Sequence, residues 1–462
     1  MADGSVEKCK AQKVGRGFTQ EQGVNYDEIY AQMMRPETLK MPLVIALYRD
    51  WEIRQWDVVA AYLQADLHHK VYVSNVNEKG EIEYWKLNKA LYGLKQAGHE
   101  WYKTLQKILE IAGLKKCIGD EGTYVNNNGD TIVGTHVGDL IGNAPQGKDL
   151  DNVEASYEKS VELDKRGKPE KLLGMELSWR KNEVVLTQQV LIETMTKTHL
   201  ANQDDTGYKK PSLPLDKQQF EPPNELVERL EDPKRFQALV GGLRFISRMT
   251  RPNISIQVNL LGRRASDPSK MNLQAAMATL KYLWQTRSEG IILRKPRDLT
   301  LTAYADASYG GEESRSQSGV LLTLGNQPIG WYSRRQDIVA LSITEAEYIA
   351  DCEAAKDLAW ATLFLKELSI EKPLPVLKTD SEGVYNLSQA AKFLRRSWHM
   401  EHRYHYLRQQ VQNGSLTIRT ISGKDNPSDH LTKLVPDNKN PYLEGYIDEW
   451  EAWFRRMNDN HL

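Results

Sequence analysis

Four carboxylates in the last third of the chain, Asp306, Glu347, Asp380 and Asp429, stand where a shared site would put them. Asp306 closes a run that alternates apolar and polar residues, and Asp380 closes a second strand-like run. Glu347 falls in the first turn of an expected long helix, and Asp429 in a short terminal one. Elements of this kind converge on one edge of a sheet, and carboxylates gathered there repel one another unless a divalent cation neutralises them. Hard oxygen donors select Mg²⁺ or Mn²⁺. Two such ions about 4 Å apart stabilise both the attacking and the leaving oxygen of a phosphoryl displacement, so the expected cofactor is a pair of ions per active site. Spacing alone leaves a structural alternative open: Glu347 also fits the third position of a capping box begun by Thr344, and Asp429 an ordinary helix N-terminus.

The elements that must position these acids can be read from periodicity. Leu299 to Asp306 alternates as a half-buried strand does, and two more strand-like runs follow near Gly319 to Leu324 and Pro328 to Ser333. A helix capped by Thr344 and apolar through Leu368 comes next, then a strand from Leu374 to Asp380. A helix from about His399 to Gln412 stops at Asn413-Gly414, ahead of a strand from Leu416 to Ile421. Strands first and then alternating helix and strand predict a mixed α/β sheet.

Upstream, Lys10 to Gln203 reads as α+β, with strands at Val71 to Val73, Thr131 to Val137 and Glu183 to Thr187 and a helix from Trp101 to Ala112. A polar stretch bearing Pro211, Pro214, Pro222 and Pro223 separates this from helical patterns built on Phe236, Leu239, Val240 and Leu243 and on Ala275 to Thr286. The expected fold class is therefore α+β multidomain, divided at 1–205, 206–296, 297–436 and a tail at 437–462. The tail places Leu443, Tyr446, Ile447, Trp450, Trp453 and Phe454 along one helical face, which is expected to dock on the chain's own domains.

Composition narrows the class. The 462 residues are 40% hydrophobic and 27% charged, the balance of a globular protein, and no apolar run approaches the length of a membrane helix. Sixty-one basic residues against 62 acidic leave a formal charge of -1, so nucleic acid must be held by local clusters such as Arg334, Arg335, Lys392, Arg395 and Arg396. Cys9, Cys117 and Cys352 offer neither a disulfide framework nor a zinc-knuckle spacing, which suits a reducing compartment. His399, His402 and His405, three apart on a helix, lack the further ligands of a zinc site. With no apolar h-region at the N-terminus, the expected location is intracellular, cytoplasm or nucleus.

The segments YADASYGG, SRSQSGVLLTLG, IGWYSRRQDIVALSITEAEYIADCEAAKDLAW, LKTDSEGVYNLSQ, WHMEHRYHYLRQQVQNG and NPSDHLTKL resemble, in order, the RNase H domain of copia-type LTR retrotransposons. The resemblance covers nearly all of Leu299 to Leu434. It implies that Asp306 bridges both metal ions, that Glu347 and Asp380 complete the ion on the leaving side, and that Asp429 holds the ion that activates water. It also implies that the substrate is the RNA strand of an RNA/DNA hybrid. Ser308 and Glu401 stand where the family has Asp, and neither belongs to the catalytic four.

KCKAQKVGRGFTQEQGVNYDEIY, RPETLKMPLVIAL, QWDVVAAYLQADL, YWKLNKALYGLKQAGHEWYKTL and LLGMEL resemble successive copia-type reverse-transcriptase blocks, and RFQALVGGLRFISRMTRPNIS resembles the connecting region. The fold implied is fingers and palm, then a helical thumb or connection, then an RNase H-like mixed α/β domain. In that family a strand-end Asp and an Asp-Asp pair in a hairpin hold two Mg²⁺ ions for nucleotide addition on a primer-template. Asp57 matches the first, Tyr62 the aromatic residue beside the sugar, and Gly93 with Lys95 the loop that meets template and nucleotide. The hairpin departs from the pattern, with His136 for the family's Tyr, Gly138 for the first Asp, and only Asp139 retained. Gln12, Lys13 and Gly98 depart as well, and the fingers are expected to be truncated at the N-terminus. The reading that results is a retrotransposon-derived Pol fragment: a Mg²⁺-dependent RNase H joined to an impaired RNA-directed DNA polymerase. The alternatives are a working reverse transcriptase with RNase H and a non-catalytic, nucleic-acid-binding relic.

Overall fold

The computed structural model describes residues 13–77, 79–200, 213–214, 216–221, 227–311, 314–370, 373–389 and 405–434. The tail stripe, Lys392, Arg395, Arg396, His399, His402, Glu401 and most of the proline-rich connection lie outside the described residues. The chain divides into two compact units, the first made of residues 1–35, 51–169 and 367–369 and the second of 36–50, 170–366 and 370–462. Both are α+β. Among the described residues no helix is long and apolar enough to cross a membrane.

The first unit is built on a six-stranded antiparallel sheet whose spatial order is Leu114–Lys116, Thr123–Asn126, Ile132–His136, Asp139–Ala144, Glu52–Val58 and Leu163–Gly167. The strand Glu52–Val58, next to the edge strand Leu163–Gly167, turns Trp56 and Val58 into the core that the helices Ala97–Ile111 and Gly147–Glu158 share. Ala97–Ile111 is helical because Trp101, Leu105, Ile108 and Leu109 fall on one face, and all four are buried. The expected strand Thr131 to Val137 is Ile132–His136, which ends in a tight hairpin with Val137 at φ 56. Trp101 Nε1 donates to the Val137 carbonyl at 2.7 Å, and Val58 N donates to the Gly138 carbonyl at 2.9 Å, so the hairpin is held from both sides. The run expected at Val71 to Val73 forms Tyr72–Val76, paired with Ile82–Lys86 as an exposed ribbon.

In the second unit, Lys171–Leu172, Met175–Arg180 and Glu183–Thr187 form a meander, which Ile291–Arg294 completes by pairing with the last. The helices Gln189–Leu200, Lys234–Met249, Ser255–Gly262 and Lys270–Gln285 bury a common core that includes Phe236, Leu243, Ile254 and Leu280. Ser269 and Asn272 cap the last of these helices reciprocally. The helix Pro36–Arg49 also belongs to this unit and packs on the strand Gln327–Arg335; the Lys40 ammonium lies 4.1 Å from the Trp331 ring centre.

The remaining elements form a five-stranded mixed sheet in the order Gln327–Arg335, Gln317–Leu324, Leu301–Ser308, Val376–Thr379 and Thr417–Thr420. The first three strands are antiparallel and the last two join in parallel, as the sequence predicts. Two expectations need correcting. The first strand continues two residues beyond Asp306, which leaves that acid inside the strand, where its neighbours exclude water. The long helix Ile343–Glu367 is capped by Ser342, not Thr344: the Ser342 hydroxyl accepts from Glu345 N at 3.1 Å, and Glu345 Oε2 accepts from Leu341 N at 2.7 Å. That cap leaves Glu347 in the next turn, available to the carboxylate site.

Candidate active sites

On the five-stranded sheet, three of the four expected acids meet. Asp306, Glu347 and Asp380 each offer an oxygen within 4.8 Å of the others. Asp306 and Glu347 are buried, and Asp380, which directly follows the strand Val376–Thr379, is half-buried. The Ala307 N–H donates to Glu347 Oε2 at 3.0 Å and fixes that side chain against the strand. A side-chain carbon at Gly423 would stand 3.1 Å from Asp380 Oδ2, so the backbone of residue 423 walls the site on that side.

Asp429 stays outside the group of three. It sits in the short helix Pro427–Leu431, where its carboxylate pairs with Lys433. The helix is nonetheless stitched to the site: Asn426 Nδ2 donates to the Ala305 carbonyl at 2.8 Å, and the Thr432 hydroxyl donates to Asp306 Oδ2. Gly319 on the adjacent strand permits this approach, since a side-chain carbon there would meet Leu431 Cβ at 2.7 Å and the Ser428 carbonyl at 2.8 Å.

Crowding shows in the acidities. Burial first, and then the charges of Asp429 and Asp380, push Asp306 up to about 6 against the pull of Thr432 and Lys433. Burial, with Asp306, Asp351 and Asp380 as neighbours, pushes Glu347 up to about 9. Asp351, a residue that sequence reading missed, is wholly buried one helical turn beyond Glu347 and raised well above the carboxylate range by burial. Thr379 lies near it, yet neither carboxylate oxygen has a hydrogen bond of normal geometry. Its i, i+4 spacing from Glu347 was the signal available in the sequence. Acids whose pKa values are raised by burial and, after that, by one another's charge are a donor set that a divalent cation would neutralise, and all are hard oxygens. The residues therefore fit Mg²⁺ or Mn²⁺. Of the expected basic cluster, Arg334 and Arg335 are exposed at the end of the strand Gln327–Arg335.

The six-stranded sheet carries a second group of acids. Asp57 is directly opposite Asp139 on one neighbouring strand and Asp164 on the other. Arg166 reaches all three: Nη2 lies 2.5 Å from Asp57 Oδ2, Nε 3.2 Å from Asp164 Oδ2 and Nη1 3.9 Å from Asp139 Oδ1. Gly138 faces the same group, for a side-chain carbon there would stand 3.2 Å from Asp57 Oδ1. His136, opposite Asp139, has its pKa lowered by burial. Tyr62 lies in the short helix Ala61–Gln64 with its ring centre 4.6 Å from that of Tyr92. Gly93 adopts φ 89 and accepts from Gly17 N at 3.1 Å; a side-chain carbon at 93 would strike the Gly15 carbonyl at 2.2 Å. Lys95 donates to the Gln20 carbonyl at 3.0 Å, and its backbone N–H to Gln20 Oε1 at 2.8 Å. Asp164 and Arg166 were not expected from the sequence, because cross-strand pairing brought them beside Asp57 and Asp139.

Comparison with known proteins supplies the family. Residues 2–211 match the family described as Reverse transcriptase (RNA-dependent DNA polymerase). The chain is 32% identical over 447 residues to the retrovirus-related Pol polyprotein from transposon RE1 of Arabidopsis thaliana, which covers 94% of this chain and 30% of that protein. It is 30% identical over 314 residues to the putative transposon Ty5-1 protein of Saccharomyces cerevisiae, covering 65% of this chain and all of that protein. A crystal structure of RNase H1 from the halophilic archaeon Halobacterium salinarum aligns with 29% of this chain and 93% of its own, at 17% identity and a TM-score of 0.22. The chain thus spans under a third of the length of the Arabidopsis relative. Matched to transposon Pol proteins along nearly its whole length, with residues 2–211 in the reverse-transcriptase family, the chain belongs to the copia-type retrotransposon Pol polyproteins.

Proposed function

We propose that the five-stranded region is a divalent-metal-dependent ribonuclease H that cuts the RNA strand of RNA/DNA hybrids, and that the reverse-transcriptase region upstream adds nucleotides poorly or not at all. The observation that carries the first part is the convergence of Asp306, Glu347 and Asp380, whose oxygens lie within 4.8 Å of one another with two of the three buried. When bound, Mg²⁺ or Mn²⁺ supplies the positive charge that stabilises the oxygens of a phosphodiester displacement.

The chain's own residues prepare that chemistry. Asp306 is held in one orientation by the Thr432 hydroxyl, and Glu347 by the Ala307 N–H. Both carboxyls bind a cation only as carboxylates, so their raised pKa values make loading pH-dependent. Asp306, Glu347, Asp380 and Asp429 would hold the ions, Asp306 shared between them, Glu347 and Asp380 serving the leaving oxygen and Asp429 the attacking water. Lys433 holds Asp429 and keeps its charge near the cluster. Arg334 and Arg335 are assigned to the phosphate backbone. In the upstream region Asp57 and Asp139 are assigned as the surviving polymerase acids, with Tyr62, Gly93 and Lys95 at nucleotide and template. Gly138 leaves that site one carboxylate short.

The test is cleavage of a labelled RNA/DNA hybrid by the purified full chain. Cleavage that needs Mg²⁺ or Mn²⁺ and is lost in Asp380→Asn supports the reading. Absence of cleavage, or cleavage unchanged in Asp380→Asn, refutes it.

A further inference from the structure

The carboxylates of the six-stranded sheet already have a cation. Asp139, Asp57 and Asp164 stand abreast on three adjacent strands, and directly paired residues project to the same face. Three like charges so placed repel one another, and Gly138 adds no oxygen donor of its own beyond its backbone carbonyl.

Arg166 meets them at a defect in the ladder. Trp56 is paired with Lys165 and Gln55 with Gly167, so the register shifts and Arg166 is the extra residue of a bulge. Lys165 turns to the helix side, where it pairs with Glu154 at 2.9 Å and Glu158 at 2.8 Å. Arg166, two residues on from Asp164, falls on the same face as that acid, the bulge leaves it out of the cross-strand pairing, and each of its three nitrogens addresses a different acid: Nη2 Asp57, Nε Asp164 and Nη1 Asp139. A planar guanidinium with fixed, forked donors suits this arrangement, whereas a lysine would supply a point charge.

We propose that Arg166 is the resident cation of this site and keeps divalent metal out of it. The assignment rests on reading Asp57 and Asp139 as the surviving polymerase acids. A metal ion entering between Asp57 and Asp139 would have to displace the guanidinium from three carboxylates, with Gly138 offering no side-chain ligand in return. The residues present therefore do not fit the pair of ions that nucleotide addition requires. The lost acid and the inserted cation act in the same direction.

The experiment counts Mn²⁺ ions on the full chain by electron paramagnetic resonance, with Asp306→Asn and Asp380→Asn already in place to remove the other site. That parent is expected to show no Mn²⁺ site that depends on Asp57. Arg166→Leu is expected to gain one Mn²⁺ site about tenfold or more tighter than any in the parent, and Asp57→Asn to abolish the gain. Arg166→Gln, which keeps a polar side chain at a position 41% exposed, is expected to gain the same site should Leu disturb the fold. Arg166→Lys, which keeps the charge, is expected to remain closed. Melting supplies an independent readout: Arg166→Leu should melt lower than the parent in chelator and be restored by Mn²⁺, to which the parent is indifferent. A parent Mn²⁺ site that disappears in Asp57→Asn overturns the proposal, as does no gain in both Arg166→Leu and Arg166→Gln. Hybrid cleavage plays no part in this experiment, so its failure is separable from failure of the ribonuclease reading, and primer extension by the unaltered chain tests the polymerase reading separately.

Discussion

Raising the pH without divalent metal is expected to destabilise the unit that holds Asp306 and Glu347. In the fold these carboxyls sit near 6 and 9, against ordinary values of 3.8 and 4.5. Between each pair of values the native chain binds a proton that the unfolded chain has released, so stability falls as pH rises. The contribution is fully present below the unfolded value and is gone once pH passes the folded one. Glu347 stays protonated in the fold from about pH 5 to about pH 7.5, which gives a slope of about 1.4 kcal/mol per pH unit and an upper bound of about 3 kcal/mol over the interval. In a unit of this size that lowers the melting temperature by about 6 °C. Asp351 and Asp357, also raised by burial, add slopes of the same sign. Lys40 and Lys378, lowered to about 8, add the opposite trend above that pH, and His199 and His430, lowered by burial, add it below their ordinary value of 6.5. The decisive readout is therefore the difference between the unaltered chain and Glu347→Gln, measured by calorimetry in chelator and again with Mg²⁺. The variant should lose most of the Glu347 slope, and Mg²⁺ should flatten the slope of the unaltered chain, because it binds the deprotonated carboxylates. An identical slope in Glu347→Gln would refute the account of these acidities.

Asp351→Asn removes a buried acid whose pKa is raised by burial, so it should stabilise the metal-free chain at about pH 7.5 and much less near pH 4, read by melting. Gly319→Ala forces carbon against Leu431 Cβ and the Ser428 carbonyl, and should cost about 1–3 kcal/mol while moving the helix that carries Asp429, so hybrid cleavage falls along with the melting temperature. Gly138→Asp places its new carbon 3.2 Å from Asp57 Oδ1, beside a guanidinium already bound there. On its own it should recover at most a fraction of primer extension, and the double variant with Arg166→Leu should recover more than either single change.

How much of this was legible depended on whether the cause was local. The helix Ala97–Ile111 and the strand Glu183–Thr187 follow from 3.6- and 2-residue periodicity, and Asp306, Glu347 and Asp380 from acids at element ends. The helix cap was misread because two Ser/Thr-x-x-Glu frames overlap in Ser342-Ile-Thr-Glu345-Ala-Glu347, and only backbone geometry chooses between them. Pro36–Arg49 shows no apolar stripe because it is buried from Thr38 through Ala46, Lys40 included, so periodicity does not reveal where it packs. Arg166 was invisible for a different reason. Two of its three acidic partners lie on strands 109 and 27 residues away, and the bulge that leaves it unpaired in the ladder leaves no mark in composition. The separation of Asp429 from the other three acids depends on Lys433, four residues on in an irregular turn.

The account holds that one chain carries two groups of carboxylates of opposite fate: one largely buried and crowded, the other answered by an arginine. The most direct test assays one preparation, with Mg²⁺, for cleavage of RNA in an RNA/DNA hybrid and for primer extension on an RNA template. The account predicts hybrid cleavage that Asp306→Asn abolishes, alongside extension at or near background. Robust extension abolished by Asp57→Asn, or extension without any hybrid cleavage, would contradict it.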